Sequence, residues 1–491
     1  MPSQYRSILR AISIFGGTQL IQVVVQLVRT KFVAIFVGTE GMGLSSMYMS
    51  SLLMIITIFG MGINSSVVRD LSKANDDRDE EKFAVISAVF KRMILFLSIS
   101  GMLFVMLSAP LFSEWSFGSQ DYSLDYVFLS SIVLFTLLNQ GNSAILTGKR
   151  RIKEVALCSL YGSIANLLIS VPVFYIWRLD GIVPGMILST ISSYVISLYF
   201  IHQLRQPRVK VSLQDVQSYG SSIFYLGVSM IVSVLAGNIT NYIINIVITR
   251  IGDIHDLGLF NAGMGLTTST VTLVFAAMAA DYYPRLVASL KKKSLMNDTI
   301  NQQSEILIYV SAPILCIFSF LSPIIISILL TEEFSVLNGF VKILCVGMLF
   351  KSMSYALGYL SFAKGDIKVY MLLEAVYGNL SNLLFSILFY YLWGLKGIAI
   401  AFLINYLLYY IIIRTVDKFR YRYLCSSELN NVVFVNVVLT ILLFACNFIQ
   451  YQPLYVLMSM TIIGIICFYN LRRLDEKTQI LSTIKENICK K

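Results

Sequence analysis

The chain has 491 residues, 57% of them hydrophobic and only 13% charged, with a formal net charge of +11 and a mean hydropathy of +0.75. That balance excludes a soluble domain of this size, because apolar runs of about 20 residues, enough to cross a hydrocarbon core roughly 30 Å thick, follow one another throughout. The runs do not alternate with period two, which excludes a β-barrel, and the positive residues lie in short loops between runs, which argues against a nucleic-acid surface.

Fourteen spans are predicted, at roughly 8–37, 42–68, 85–110, 124–147, 155–177, 182–203, 220–249, 258–280, 305–330, 336–362, 369–392, 397–415, 431–450 and 454–471. The first starts near Ile8, is too long for a signal-peptide core and is read as a retained helix. It carries a polar stripe: Gln19, Gln22, Gln26 and Arg29 fall within roughly 80° of one another on a helix. Arg29 precedes Gly38 by nine residues, so it lies about 13 Å from the end of the span, too deep for easy snorkelling. Two readings stand: an anion ligand on a water-filled cavity, or a packed Arg neutralised by a carboxylate such as Glu374 or Asp281. Lys31, on another face and nearer the surface, is either a second ligand or a snorkelling side chain.

Between spans 2 and 3, Asp76, Asp77, Asp79, Glu80 and Glu81 read most simply as a solvated inner turn, with an ion site as the weaker alternative. Spans 5 and 11 are copies of one another. The segment 161–182 recurs at 377–398 with no gap, so that Tyr161, Gly162, Asn166, Ser170, Trp177 and Gly181 reappear as Tyr377, Gly378, Asn382, Ser386, Trp393 and Gly397. The displacement is 216 residues, or six crossings, which makes the repeat parallel. Weaker matches pair Gly38, Gly43 and Arg69 with Gly252, Gly258 and Arg285. The predicted organisation is therefore one six-helix lobe over 1–215, a second, pseudo-symmetric one over 216–416, and two extra helices with a tail over 417–491.

Span 7, the mate of span 1, has its own polar stripe of Asn238, Asn241 and Asn245; it lines a hydrophilic vestibule or bonds between helices. In span 10, Lys342 and Lys351 are half a turn out of phase, so one cavity cannot take both. Glu374, near the inner end of span 11, is a candidate for ion coupling, or pairs with Lys364 or Lys368. The Gly141–Arg150 segment has the wrong spacing for a phosphate loop. His202 and His255 show no metal spacing, and the seven cysteines suggest no disulfide framework. No catalytic or metal-ligating constellation is found and no cofactor is expected. Most of the 38 lysines and arginines fall on one side if the N-terminus is cytoplasmic, which predicts both termini inside.

Three stretches carry a resemblance: Gly38-Thr39-Glu40-Gly41-Met42-Gly43-Leu44; the segment 346–374, with Lys351, Tyr355, Gly358-Tyr359-Leu360, Ala363-Lys364, Tyr370 and Glu374; and Gly258-Leu259-Phe260 with Tyr283-Pro284. In these the chain resembles the Wzx-type flippases of lipid-linked O-antigen and enterobacterial common antigen units. Those belong to the multidrug/oligosaccharidyl-lipid/polysaccharide exporter (MOP) superfamily, with fourteen spans arranged as six, six and two.

The resemblance implies a non-enzymatic transporter of the bacterial inner membrane, acting in polysaccharide and lipopolysaccharide biosynthesis. Its cargo would be an undecaprenyl-diphosphate-linked oligosaccharide, moved from the inner to the outer leaflet by alternating access. Expected ligands are Arg29, Lys31 and Lys351 for the diphosphate, with Gln22, Gln26, Asn241 and Asn245 lining a hydrated cavity and Glu374 coupling an ion. Membrane lipids and a polysaccharide polymerase are the expected partners. One alternative is a cation-coupled multidrug antiporter of the same fold, disfavoured by the basic excess inside the spans. The other is an enzyme of the same pathway, disfavoured by outer loops too short to hold a catalytic site.

Overall fold

A computed structural model describes residues 2–204, 209 and 213–478. Cys489 and the rest of the tail, and part of the connection near 204–219, lie outside the described residues. Among the described residues every regular element is a helix, as a chain with no water to satisfy its backbone requires. In order these are α1 (Pro2–Gly60), α2 (Ile63–Asp76), α3 (Glu80–Leu107), α4 (Ala109–Phe117), α5 (Ser123–Gly148), α6 (Ile152–Trp177), α7 (Ile182–His202) and α8 (Leu213–Ile251). There follow α9 (Ile254–Ser289), α10 (Lys293–Leu329), α11 (Leu337–Ala363), α12 (Ile367–Tyr370), α13 (Asn382–Tyr421), α14 (Ser427–Ala445) and α15 (Gln452–Thr478).

Ten helical segments of the described residues are long and apolar enough to span a membrane. Three of them, Gly17–Gly60, Ile152–His202 and Ile367–Tyr421, have 44, 51 and 55 residues. At 1.5 Å per residue each is about twice the roughly 30 Å a single crossing needs. Each is also broken near its middle. Gly38 (φ 63, ψ −162) breaks α1, Arg178 (φ 48, ψ −122) ends α6, and Gly394 (φ 58, ψ −143) breaks α13.

One expectation needs correction. The second span, predicted to run unbroken over 42–68, ends at Gly60; Met61 (φ 44) and Gly62 (φ 61) turn the chain before α2. The flanking glycines permit that left-handed turn, and α2 then buries Ile63, Val67, Leu71 and Ala74 along one face. The acidic turn before α3 is exposed, as expected, and also anchors its neighbours. Asp79 caps α3 by accepting from the Lys82 amide at 2.9 Å, while Lys149 and Arg150 pair with Glu80 and Asp76, each at 2.6 Å.

Residues Met1–Leu259 with Ile328–Glu333 form one compact unit, and Phe260–Ser327 with Phe334–Lys491 a second. Inside the first, Tyr126 is fully buried, and Ser116 bonds both Tyr126 and Tyr242, at 2.9 and 2.8 Å. Inside the second, α11 is the most enclosed helix, and α14 joins α15 through a reciprocal amide pair. Asn436 donates to Asn470 at 3.1 Å and Asn470 returns the bond at 2.8 Å, both side chains fully buried. Each amide also donates to a carbonyl one turn back on its own helix, Val432 at 2.9 Å and Ile466 at 2.8 Å, so the partner chiefly satisfies the buried side-chain oxygens. Cys316, Leu443 and Ile466 pack as a small apolar core beside them.

The sequence repeat has a local structural counterpart. Both copies leave helical geometry around the tryptophan: the first at Arg178, directly after Trp177, and the second at Trp393 itself (φ −137, ψ 15) and Gly394. In both, a glycine three residues on then approaches the preceding helix. A Cβ on Gly181 would lie 2.8 Å from the Val173 carbonyl oxygen, and one on Gly397 would overlap that of Phe389. Val173 and Phe389 are themselves repeat mates.

Candidate functional site

In the first unit the candidate site is built on α1. Its glutamine and arginine positions share a face because they recur at three- and four-residue intervals. Arg29 is half-buried, and its Nε donates to the Ser170 hydroxyl of α6 at 3.2 Å. Among the described residues no carboxylate pairs with it. The two considered as partners are engaged elsewhere: Asp281 pairs with Arg285 at 2.8 Å, and Glu374 accepts from Tyr409. Within its own unit the Arg29 guanidinium has only the Ser170 hydroxyl as a partner among the described residues, an arrangement that suits a planar fork for an anion.

Gln22 has a buried Nε2 with no partner among the described residues, while Gln26 is exposed. On α6, one turn before Ser170, Asn166 has a buried side-chain oxygen without a partner. Asn166 and Ser170 were not singled out as site residues. The signal was available, since both lie in the duplicated segment and recur as Asn382 and Ser386.

Other predicted ligands are placed differently. The Lys31 ammonium donates to the Leu330 carbonyl, which ties it to the segment Ile328–Glu333. On α8, Asn238 donates to Thr57 at 2.7 Å, an interhelical bond rather than a free vestibule group. Asn241 is exposed and Asn245 fully buried. The three asparagines, spaced for one helix face, thus differ in exposure.

In the second unit Lys351 and Glu374 come together. Both line a cavity of ≈ 380 Å³ with Ser354, Tyr355, Tyr359, Tyr370, Tyr406 and Tyr409, a volume within the usual range of ligand pockets. Lys351 sits over the Tyr406 ring, 5.1 Å from its centroid, a cation–π contact that steadies the charge without neutralising it. Tyr355 stacks on Phe275 with centroids 4.4 Å apart and lies 3.3 Å from the Tyr359 hydroxyl.

Glu374 belongs to a π-helical segment, Met371–Ser381. Its wider turn is an uncommon geometry that recurs at functional sites. Asn379 donates to the Glu374 carbonyl at 2.8 Å inside that segment. Lys364, one of the two lysines considered for Glu374, lies instead over the Tyr421 ring at 5.3 Å. Lys342, predicted to point elsewhere, donates to Asn447 at 2.6 Å and faces the Tyr455 ring of α15. Just outside the span, the Arg420 guanidinium hydrogen-bonded to Asp366 holds that carboxyl below the usual range.

The polysaccharide biosynthesis protein family matches residues 8–290. A Shigella flexneri protein described as an O-antigen transporter is 23% identical over 389 residues, covering 77% of this chain and 90% of that protein. The lipid III flippase of Escherichia coli K12 is 21% identical over 407 residues, covering 80% and 94%. Among solved structures, an inward-facing multidrug resistance MATE family transporter of the MOP superfamily superposes with a TM-score of 0.71 at 15% identity, covering 81% of this chain and 96% of that one. The lipid II flippase MurJ in an inward closed conformation gives 0.69 at 15%, covering 94% and 99%. At such identities the structures establish the fold alone. With a family match over more than half its length, this chain belongs to the polysaccharide biosynthesis protein family and is, as its resemblance to the Wzx-type flippases of the MOP superfamily implied, a multi-span membrane transporter and not an enzyme.

Proposed function

We propose that this protein flips a polyprenyl-diphosphate-linked oligosaccharide, of the undecaprenyl type, from the inner to the outer leaflet of a bacterial inner membrane. The observation that carries the reading is Arg29, a membrane-embedded guanidinium bonded only to a neutral hydroxyl. An uncompensated charge at mid-span costs about 2.5–3.5 kcal/mol on insertion scales and is kept where it serves a ligand. Diphosphate oxygens match the planar fork of Arg. Lys351, in the cavity it shares with Glu374, adds a second cation beside aromatic rings suited to a sugar. The two relatives named for O-antigen and lipid III support a lipid-linked oligosaccharide as the class of cargo.

In this reading residues 1–215 and 216–416 act as two lobes that alternate access, 417–491 contributes two accessory helices, and both termini are cytoplasmic. Lys31 and Gln22 border the diphosphate, Gln26, Asn241 and Asn245 face the hydrated path in part of the cycle, and Glu374 carries the coupling ion. A polysaccharide polymerase would receive the product on the outer side. A leaflet assay in proteoliposomes with defined lipid-linked oligosaccharides tests the proposal. Transport of the diphosphate-linked substrate, lost on Arg29→Ala, is expected; export of cationic drugs with no movement of the lipid would overturn it in favour of a multidrug antiporter.

A further inference from the structure

Two glycines of the first unit meet backbone to backbone. A Cβ on Gly43, in the half of α1 that follows Gly38, would overlap the Ile254 carbonyl oxygen. A Cβ on Gly258, in the first turns of α9, would overlap the Thr39 carbonyl oxygen and lie 3.1 Å from the Gly43 amide nitrogen. Thr39 and Gly43 are one helical turn apart, and so are Ile254 and Gly258. A single displacement of 215 residues carries the first pair onto the second. Each glycine therefore packs on the peptide one turn before the other, and the contact is self-complementary in the manner of a two-fold interface. Only glycine allows two helix backbones to approach this closely.

The surroundings set this crossing apart from ordinary helix packing. It lies directly after the Gly38 break (φ 63), where α1 changes direction. Thr39, only 4% exposed, donates to Glu333 at 3.4 Å. A cavity of ≈ 700 Å³ opens beside it, lined among others by Gly38, Glu40, Gly252, Asp253 and Glu333. Parting the helices here would break the close backbone contact and disturb the Thr39–Glu333 bond beside it.

We infer that the Gly43–Gly258 crossing is a latch between the two sequence copies, closed in this structure, which must part when this end of the transporter opens. The inference rests on the alternating-access reading above, but its first test reads conformation and not cargo. In a background with the native cysteines replaced, Thr39→Cys is labelled with a membrane-impermeant maleimide from the side that labels Asp253→Cys. Labelling is expected to be slow with both glycines present and about tenfold faster with Gly43→Ala or Gly258→Ala, a shift of one decade in the closed population. Gly265→Ala, also on α9 but with open space around its Cβ, should leave the rate unchanged. Equal rates in all backgrounds would overturn the latch, whatever the cargo proves to be. If the alanine variants fail to reach the membrane, the exposed pair Glu40→Cys and Asp253→Cys is joined by a cleavable cross-linker. Transport should then stop and return on cleavage, and undiminished transport by the cross-linked protein would refute the proposal.

Discussion

The Arg29 guanidinium donates to the Ser170 hydroxyl at 3.2 Å, joining the polar stripe of α1 to the duplicated segment on α6. A neutral hydroxyl orients a guanidinium without cancelling its charge. Arg29→Ala should abolish transport at normal membrane abundance, and Arg29→Lys should keep part of it, because charge survives but the fork does not. Ser170→Ala should lower transport by about tenfold, the scale of one hydrogen bond to a charged group. Complementation with membrane levels measured alongside decides the matter. Full transport by Arg29→Ala at normal abundance would end Arg29's role as the anion ligand.

Glu374 depends on Tyr409 for its hydrogen bond. Tyr409→Phe removes that donor and leaves the carboxylate less satisfied, which should cost about 1–3 kcal/mol of stability. Glu374→Gln should largely restore the thermal midpoint in the Tyr409→Phe background, since a neutral amide is cheaper to bury than a carboxylate. Melting of the purified variants in detergent tests this. A Tyr409→Phe midpoint equal to that of the parent would show that the bond contributes nothing.

Gly397 packs so close to the Phe389 carbonyl that a methyl group has no room. Gly397→Ala should destabilise the protein by about 1–3 kcal/mol or prevent its assembly, as overpacking does. Gly464→Ala, on α15 with nothing near its Cβ, should be neutral within the spread of surface changes. Fluorescence-detected size exclusion after a heating series compares the two.

Ser119 and Asp253 follow α4 and α8 respectively and are predicted to face the outside. Cysteines introduced there should react with an impermeant reagent added to intact spheroplasts, whereas Lys149→Cys and Lys291→Cys should react only after permeabilisation. The reverse pattern would invert the topology drawn from lysine and arginine placement.

Much of this architecture was determined by sequence alone. A chain this apolar has to satisfy its backbone within each crossing, so hydropathy by itself located the helices. The 216-residue repeat marked Trp177 and Trp393, and the backbone breaks at or directly after each. Residue type also singled out Arg29, Lys351 and Glu374, because ionisable groups are rare in apolar runs. Which polar atoms meet was decided only by the tertiary structure. Side-chain partners come from residues far apart in the chain, and no periodicity encodes them. Lys31 finds the Leu330 carbonyl 299 positions away, Asn238 bonds Thr57, and the Arg29 partner is a serine that hydropathy treats as filler. Nor could the π-helical turn at Glu374 or the break at Met61–Gly62 be read from composition. Both are backbone departures that cost local hydrogen bonding and are held in place by what packs around them.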